Sequence, residues 1–218
     1  MEKTIAFLKS LSKNNNREWF EKNKPKFLIA KEEFELFVTA LVNEVTKFDG
    51  SLMGLDPKKF IFRIYRDVRF SKDKRPYKTN FGAGISSNGK GLGRPGYYLH
   101  VEPGGKSFVA GGLYMPEPEI LGKVRQEIDY SGDELRKIMS NKKFKNLYRD
   151  FWDEDKLKTM PKGYPKDHRY IDWLKLKSFI VTHELSDTKV LDKKFVKTAS
   201  DAFKTLKPLN DFLKQAIE

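Results

Sequence analysis

Phe60-Ile61-Phe62-Arg63-Ile64-Tyr65-Arg66-Asp67-Val68-Arg69-Phe70 is the stretch on which the reading of the fold turns. Before it, apolar residues recur at helical spacing; from Phe60 the period changes to two. Phe60, Phe62, Ile64, Val68 and Phe70 then share one face of an extended strand, with Ile61, Arg63, Tyr65, Asp67 and Arg69 on the other. Arg66 breaks the alternation by landing on the apolar face. Either the strand ends or bulges near Tyr65, or Arg66 is buried with a partner.

Upstream, Ile5, Leu8 and Leu11 form a helical stripe, and the Asn14-Asn15-Asn16 run stops that helix and caps a short one at Arg17-Glu18-Trp19-Phe20. Pro25 suits the first turn of a third helix, where Phe27, Phe34, Phe37, Leu41 and Val45 recur, and Asp49-Gly50 ends it. Downstream, strands are expected near 79–86, 97–102 and 106–114, the last two joined by Pro103-Gly104-Gly105. A helix from Pro116 to Ile128 follows, and Ser131-Gly-Asp-Glu134 reads as a capping box for the next. Trp173 to Thr182 reads as a strand after a polar loop over 153–170. Phe195, Ala199, Ala202, Leu206, Leu209 and Leu213 stripe a last helix, bent or interrupted at Pro208. The pattern predicts one α+β domain over residues 1–218, with a largely antiparallel sheet of about five strands packed against N- and C-terminal helices.

The 218 residues carry 43 Lys and Arg against 30 Asp and Glu, a formal +13. Between Lys58 and Asn80 stand nine Lys or Arg and two Asp, so this short segment supplies +7 of the excess. Seventeen Phe, nine Tyr and three Trp furnish bulk for a core, which excludes a disordered chain. The chain has no cysteine, hence no disulfide, thiolate chemistry or Cys-ligated metal. The three histidines, His100, His168 and His183, lack paired ligand spacing, and no motif asks for a cofactor. No apolar run reaches the ~18 residues of a bilayer span. The first residues break into charge before a signal-type stretch forms, so a cytoplasmic protein without membrane contact is expected.

Gly84-Ile-Ser-Ser-Asn-Gly89-Lys90 matches the opening of a phosphate-binding P-loop but fails at Gly91, where Ser or Thr would hold Mg²⁺. Asn88-Gly89 is a better hairpin turn. A glycine-rich flap over 82–96, carrying Lys90 and Arg94, is the looser reading. Arginine grips carboxylate or phosphate with a planar two-pronged donor set, so the basic strand nominates an anion site. Arg63, Arg66, Arg69, Lys78 and Asn80 form the gripping set, with Tyr77 and Tyr98 as apolar walls. Tyr98, His100 and Glu102 alternate onto one face, and Asp167 and His168 lie before the last strand. His100, Glu102, Asp167 and His168 are the candidates for proton transfer, and a binder and an enzyme are both compatible with the set.

Three further signatures run in order through the chain. They are Phe7-Leu-Lys-Ser-Leu11 with Asn14-Asn15-Asn16-Arg17-Glu18-Trp19-Phe20 and Asn23-Lys24; Arg63-Ile-Tyr-Arg66-Asp67-Val-Arg69-Phe with Pro76-Tyr77-Lys78-Thr-Asn80-Phe; and Tyr164-Pro-Lys-Asp167-His168 with Leu174-Lys-Leu-Lys177-Ser-Phe. Together with Gly96-Tyr-Tyr98, Glu102-Pro-Gly and Gly111-Gly112, they resemble the domain of unknown function 2461 family over most of residues 5–185. Arg169 departs from the pattern, which has proline there. The resemblance implies a single-domain α+β protein of bacterial type, also found in fungi, and carries no catalytic role.

The leading expectation is therefore a cleft for a small phosphate- or carboxylate-bearing ligand. One alternative is a nucleic-acid binder stacking bases on Tyr65, Phe70 and Tyr77. The other is a structural network in which the arginines pair only with Asp67, Asp73 and carbonyls. Nothing in the sequence sets the oligomeric state.

Overall fold

Helices α1 (Glu2–Lys13), α2 (Arg17–Lys22) and α3 (Lys24–Thr46) open the chain in the computed structural model, which describes residues 1–91 and 93–218. The Asn16 side chain accepts the Trp19 N–H at 2.9 Å and so caps α2. Proline in the first turn of α3 costs no hydrogen bond, because that N–H has no helical acceptor. Ile5, Leu8 and Leu11 of α1 and Phe34, Leu41 and Val45 of α3 are all buried, so the two stripes meet in one core.

Strands β1 (Phe81–Ile85), β2 (Gly96–Val101), β3 (Ser107–Leu113) and β4 (Phe179–Leu185) form an antiparallel sheet in the order β1-β2-β3-β4. The register Ala83↔Leu99, Leu99↔Val109 and Val109↔His183 sets alternate residues on opposite faces. Phe81, Ala83, Leu99, Val109 and Val181 point into the core beneath α3 and the last helix, α8 (Phe195–Ile217). Gly111 lets α8 come close, because a Cβ there would collide with Leu206 and the Gly96 carbonyl. α8 continues through Pro208, which lies on its exposed side.

Four strands stand among the described residues where about five were expected. Residues 61–66 do run antiparallel to 76–83, through the bridges Ile61↔Ala83 and Tyr65↔Tyr77 and the Phe62 N–H to Gly82 carbonyl bond of 2.9 Å. Bends at Ile64 and at Thr79-Asn80 break this ladder into isolated bridges. Phe60 closes a 3₁₀ turn, Pro57–Phe60, instead of opening a strand. The expected strand over 173–182 is also corrected: Trp173 and Leu174 belong to the helical turn α6 (Ile171–Leu174), and β4 begins only at Phe179.

The helix read from Pro116 begins at Pro118 and runs on as α4 (Pro118–Ser140). Ser131 sits inside it with non-helical φ −117° and ψ 21°, so the capping sequence marks a kink between two merged helices. Short helices α5 (Lys142–Tyr148) and α7 (Asp187–Leu191) complete the chain.

One buried polar knot ties three elements together. Asp49, only 4% exposed, accepts hydrogen bonds from the Tyr97 hydroxyl at 2.9 Å and the Ser51 hydroxyl at 2.6 Å, with Lys214 Nζ at 3.3 Å. Burial pushes the Asp49 carboxyl up, but these donors and the Lys214 charge together hold it below its ordinary value. Among the described residues no helix is long and apolar enough to cross a membrane.

Candidate functional site

The sheet face turned away from α3 and α8 is hollow because its central residues are small. Gly84 lies opposite Tyr98, Tyr98 opposite Ala110, and Gly96 opposite Gly112. The Tyr98 ring leans over β1, where its hydroxyl would meet a Cβ on Gly82 at 2.8 Å. Ala110 and Gly112 are left as bare floor. Gly112 adopts φ +111°, and a Cβ there would collide with the Phe179 carbonyl, so only glycine fits. The result is a cavity of about 500 Å³, within the range of small-ligand sites.

Its two ends differ. Beside β4, the Trp152 backbone N–H donates to the Ile180 carbonyl at 2.9 Å, which fixes this segment at the sheet edge, and the indole packs against Tyr114, ring centroids 6.3 Å apart. Beside β1, Lys78 and Lys90 place their ammonium groups 5.4 and 5.3 Å from the centroid of the same ring, Phe62. Lys90 reaches there through a tight turn in which Ser86 and Gly89 exchange backbone hydrogen bonds of 3.0 Å. Gly84 admits that turn, since the Lys90 carbonyl fills the space a Cβ would need. Of the glycine-rich flap over 82–96, Gly84, Lys90, Gly91 and Gly96 line the cavity, Arg94 does not, and Leu92 lies outside the described residues.

Lys78 is only partly exposed, and burial lowers its pKa, with Arg63 and Lys90 repelling its charge in the same direction. Among the described residues, no carboxylate lies within ion-pair distance of Lys78, Lys90 or Arg63, while Asp67 and Asp73 are engaged by Arg69, Arg66 and Arg75. Lys78 and Lys90 thus share one rim with no carboxylate in ion-pair reach among the described residues, and the field of Arg63 adds to theirs from outside the cavity.

A hydrogen-bonded row flanks the cavity along β2. His100 Nε2 stands 2.9 Å from Glu102, whose other oxygen accepts from Thr79 at 2.9 Å. His100 Nδ1 lies 3.3 Å from both the Tyr98 hydroxyl and the Asn80 amide. These partners assign the proton to Nε2 and leave Nδ1 as the acceptor. Burial holds the imidazole below its ordinary pKa, with Glu102 opposing and Lys78 reinforcing the shift, which favours the neutral ring. Burial and the Glu102 charge push the Tyr98 phenol up to about 12, so it stays protonated.

The remaining sequence candidates lie elsewhere. Arg66 is held by Asp73 at 2.6 Å, the Arg75 carbonyl and Ser71, and it closes a hairpin with the Pro76 carbonyl. Arg69 makes two bonds to Asp67, at 3.0 and 2.7 Å. Arg63 is exposed and acts on the rim only through its field. Tyr77 is buried, stacked on Phe20 with centroids 4.0 Å apart, and does not line the cavity. Asp167 is exposed, and His168 binds Asp129 on α4 at 2.9 Å and accepts the Tyr170 N–H. Lys78, Asn80 and Tyr98 do line the cavity. Phe62, Phe108, Tyr114 and Trp152 line it too and were absent from the sequence-derived set. Of these, Phe108 could have been found, because it shares the face of Tyr98 and His100 once β2 and β3 pair as a hairpin.

The fold and site together define an α+β protein with a cation-rimmed cavity on the outer face of an antiparallel sheet. The chain belongs to the DUF2461 family, described as a conserved hypothetical protein, whose model matches residues 3–212. No curated protein and no solved structure matches the chain.

Proposed function

We propose that the cavity binds a small anionic ligand bearing phosphate or carboxylate, held by Lys78 and Lys90, with Asn80 and Tyr98 as neutral neighbours. The observation that carries this reading is the pair of ammonium groups within 5.4 and 5.3 Å of one ring centroid, Phe62, with no carboxylate in ion-pair reach among the described residues. A half-buried lysine whose pKa is already lowered is costly to hold beside two more cations, and a bound anion relieves that cost. Arg66 and Arg69 then serve the hairpin over 66–76 and not the ligand. Isothermal titration with inorganic phosphate tests the reading: binding at one site, lost in Lys78→Met, is the expected result. Binding unchanged by Lys78→Met would refute it.

The nucleic-acid reading is favoured by one separate observation. Phe70, at 96% exposure, caps the basic hairpin with the Arg69 guanidinium 5.9 Å from its ring centroid. Arg66, Arg69 and Arg75 already share two aspartates there, which reduces the charge left for phosphates. Affinity for single-stranded DNA falling linearly in log salt, and weakened about five- to one-hundred-and-fifty-fold by Phe70→Ala, is what that reading requires.

A further inference from the structure

The polarity of the cavity says more about the ligand than its charge. Lys78, Lys90 and Phe62 stand beside β1, whereas Tyr114 just after β3, Ile180 in β4 and Trp152 beside β4 line the opposite end. Three interstrand spacings separate β1 from β4, about 14 Å at ~4.8 Å each. Among the described residues the lysine ammonium groups lie at one end, whereas the other end is aromatic and aliphatic apart from the Thr182 hydroxyl. Between them the Tyr98 ring of β2 leans toward β1, and the floor from there toward β4 is Ala110 and Gly112, from which no side chain extends past Cβ. An inorganic anion alone would occupy the β1 end and leave the rest of the hollow unused.

We propose that the ligand is an elongated amphipathic anion with a flat aromatic body, its phosphate or carboxylate between Lys78 and Lys90 and its ring system laid on the Ala110–Gly112 floor toward Trp152. A floor of backbone and one methyl group presents a plane, which a ring covers more completely than a flexible chain does. Ordering a ring also costs fewer rotors than ordering an alkyl chain. Aromatic edges at Tyr114 and Trp152 give the ring tilted partners at its far end. This inference rests on the anion-site reading above.

The test uses the full chain and four probes followed by Trp fluorescence and calorimetry: 1-naphthyl phosphate, 1-naphthol, n-octyl phosphate and inorganic phosphate. 1-Naphthyl phosphate is expected to bind about tenfold or more tighter than each of the others. Ala110→Leu, which raises a side chain from the floor, should remove that advantage and leave inorganic phosphate affinity unchanged. If 1-naphthyl phosphate binds no tighter than inorganic phosphate, and Lys78→Met abolishes both, the aromatic body is refuted while the anion site stands. If n-octyl phosphate binds as tightly as 1-naphthyl phosphate, the flat body is refuted. If 1-naphthol binds as tightly as its phosphate, or no probe binds, the anion site falls and the inference with it.

Discussion

Replacing Lys78 by Met separates ligand binding from folding more cleanly than any other single change. Methionine keeps the length and most of the apolar contact with Phe62 but removes the ammonium. A hydrogen bond between an ammonium and an anion contributes about 1.5–3 kcal/mol net, so the dissociation constant of phosphate should rise roughly ten- to one-hundred-and-fifty-fold. The fold loses a cation–π contact worth about 0.5–1 kcal/mol at a partly exposed site. It also loses the repulsion of Arg63 and Lys90 and the desolvation of a charge without a partner. These terms oppose each other, so Tm should move by no more than about 2–4 °C in either direction. The pH dependence gives a second reading of the same change. Because the folded-state pKa of Lys78 is lowered, the unfolded chain holds a proton that the folded chain releases. Stability therefore rises as pH climbs through the lowered value toward the ordinary lysine value of about 10.4, while phosphate affinity falls over the same window. Lys78→Met should flatten both profiles. Calorimetric titration and thermal melts at several pH values make the comparison. A drop in Tm of more than about 6 °C with phosphate binding intact would make Lys78 part of the scaffold and refute the reasoning.

Three other outcomes follow from the packing. Asp49→Asn removes the buried carboxylate that accepts from Tyr97 and Ser51 and pairs with the half-buried Lys214 ammonium, and urea unfolding should show a loss of about 1–3 kcal/mol at neutral pH. Gly111→Ala forces a methyl group against Leu206 and the Gly96 carbonyl, and should cost about 1–3 kcal/mol by the same assay. Arg66→Ala removes the clamp on Asp73, so amide exchange over residues 66–76 should accelerate while phosphate affinity stays within about twofold.

How far the sequence carries depends on how local each determinant is. The stripes of α1, α3 and α8 are local, and their buried sets follow the spacing of Leu8 and Leu11, Phe34 and Leu41, and Ala199 and Leu206. The kink at Ser131 was legible as a cap, since its side chain and the residues after it form a helix-start signal. Within β2, period two correctly sorts Tyr98 and His100 from Tyr97 and Leu99, because both flanking strands keep regular register. The same rule fails for Phe62. Phe60 closes a 3₁₀ turn and Ile64 sits at a bend, so the two bury in the core while Phe62 lines the outer cavity. Trp152 was not legible at all: its place depends on a backbone bond to Ile180, a contact between segments distant in sequence. The convergence of Lys78 and Lys90 on one ring likewise needs the Ser86–Gly89 turn, the β1 pairing and the Phe62 reversal together.

The most direct measurement is a crystal structure of the protein grown with selenate, located by its anomalous scattering. Selenate within hydrogen-bond reach of both Lys78 Nζ and Lys90 Nζ, over the edge of Phe62, is the result this account predicts. Selenate found only on the hairpin, at Arg66 or Arg69, or an occupied carboxylate pairing with Lys78, would contradict it.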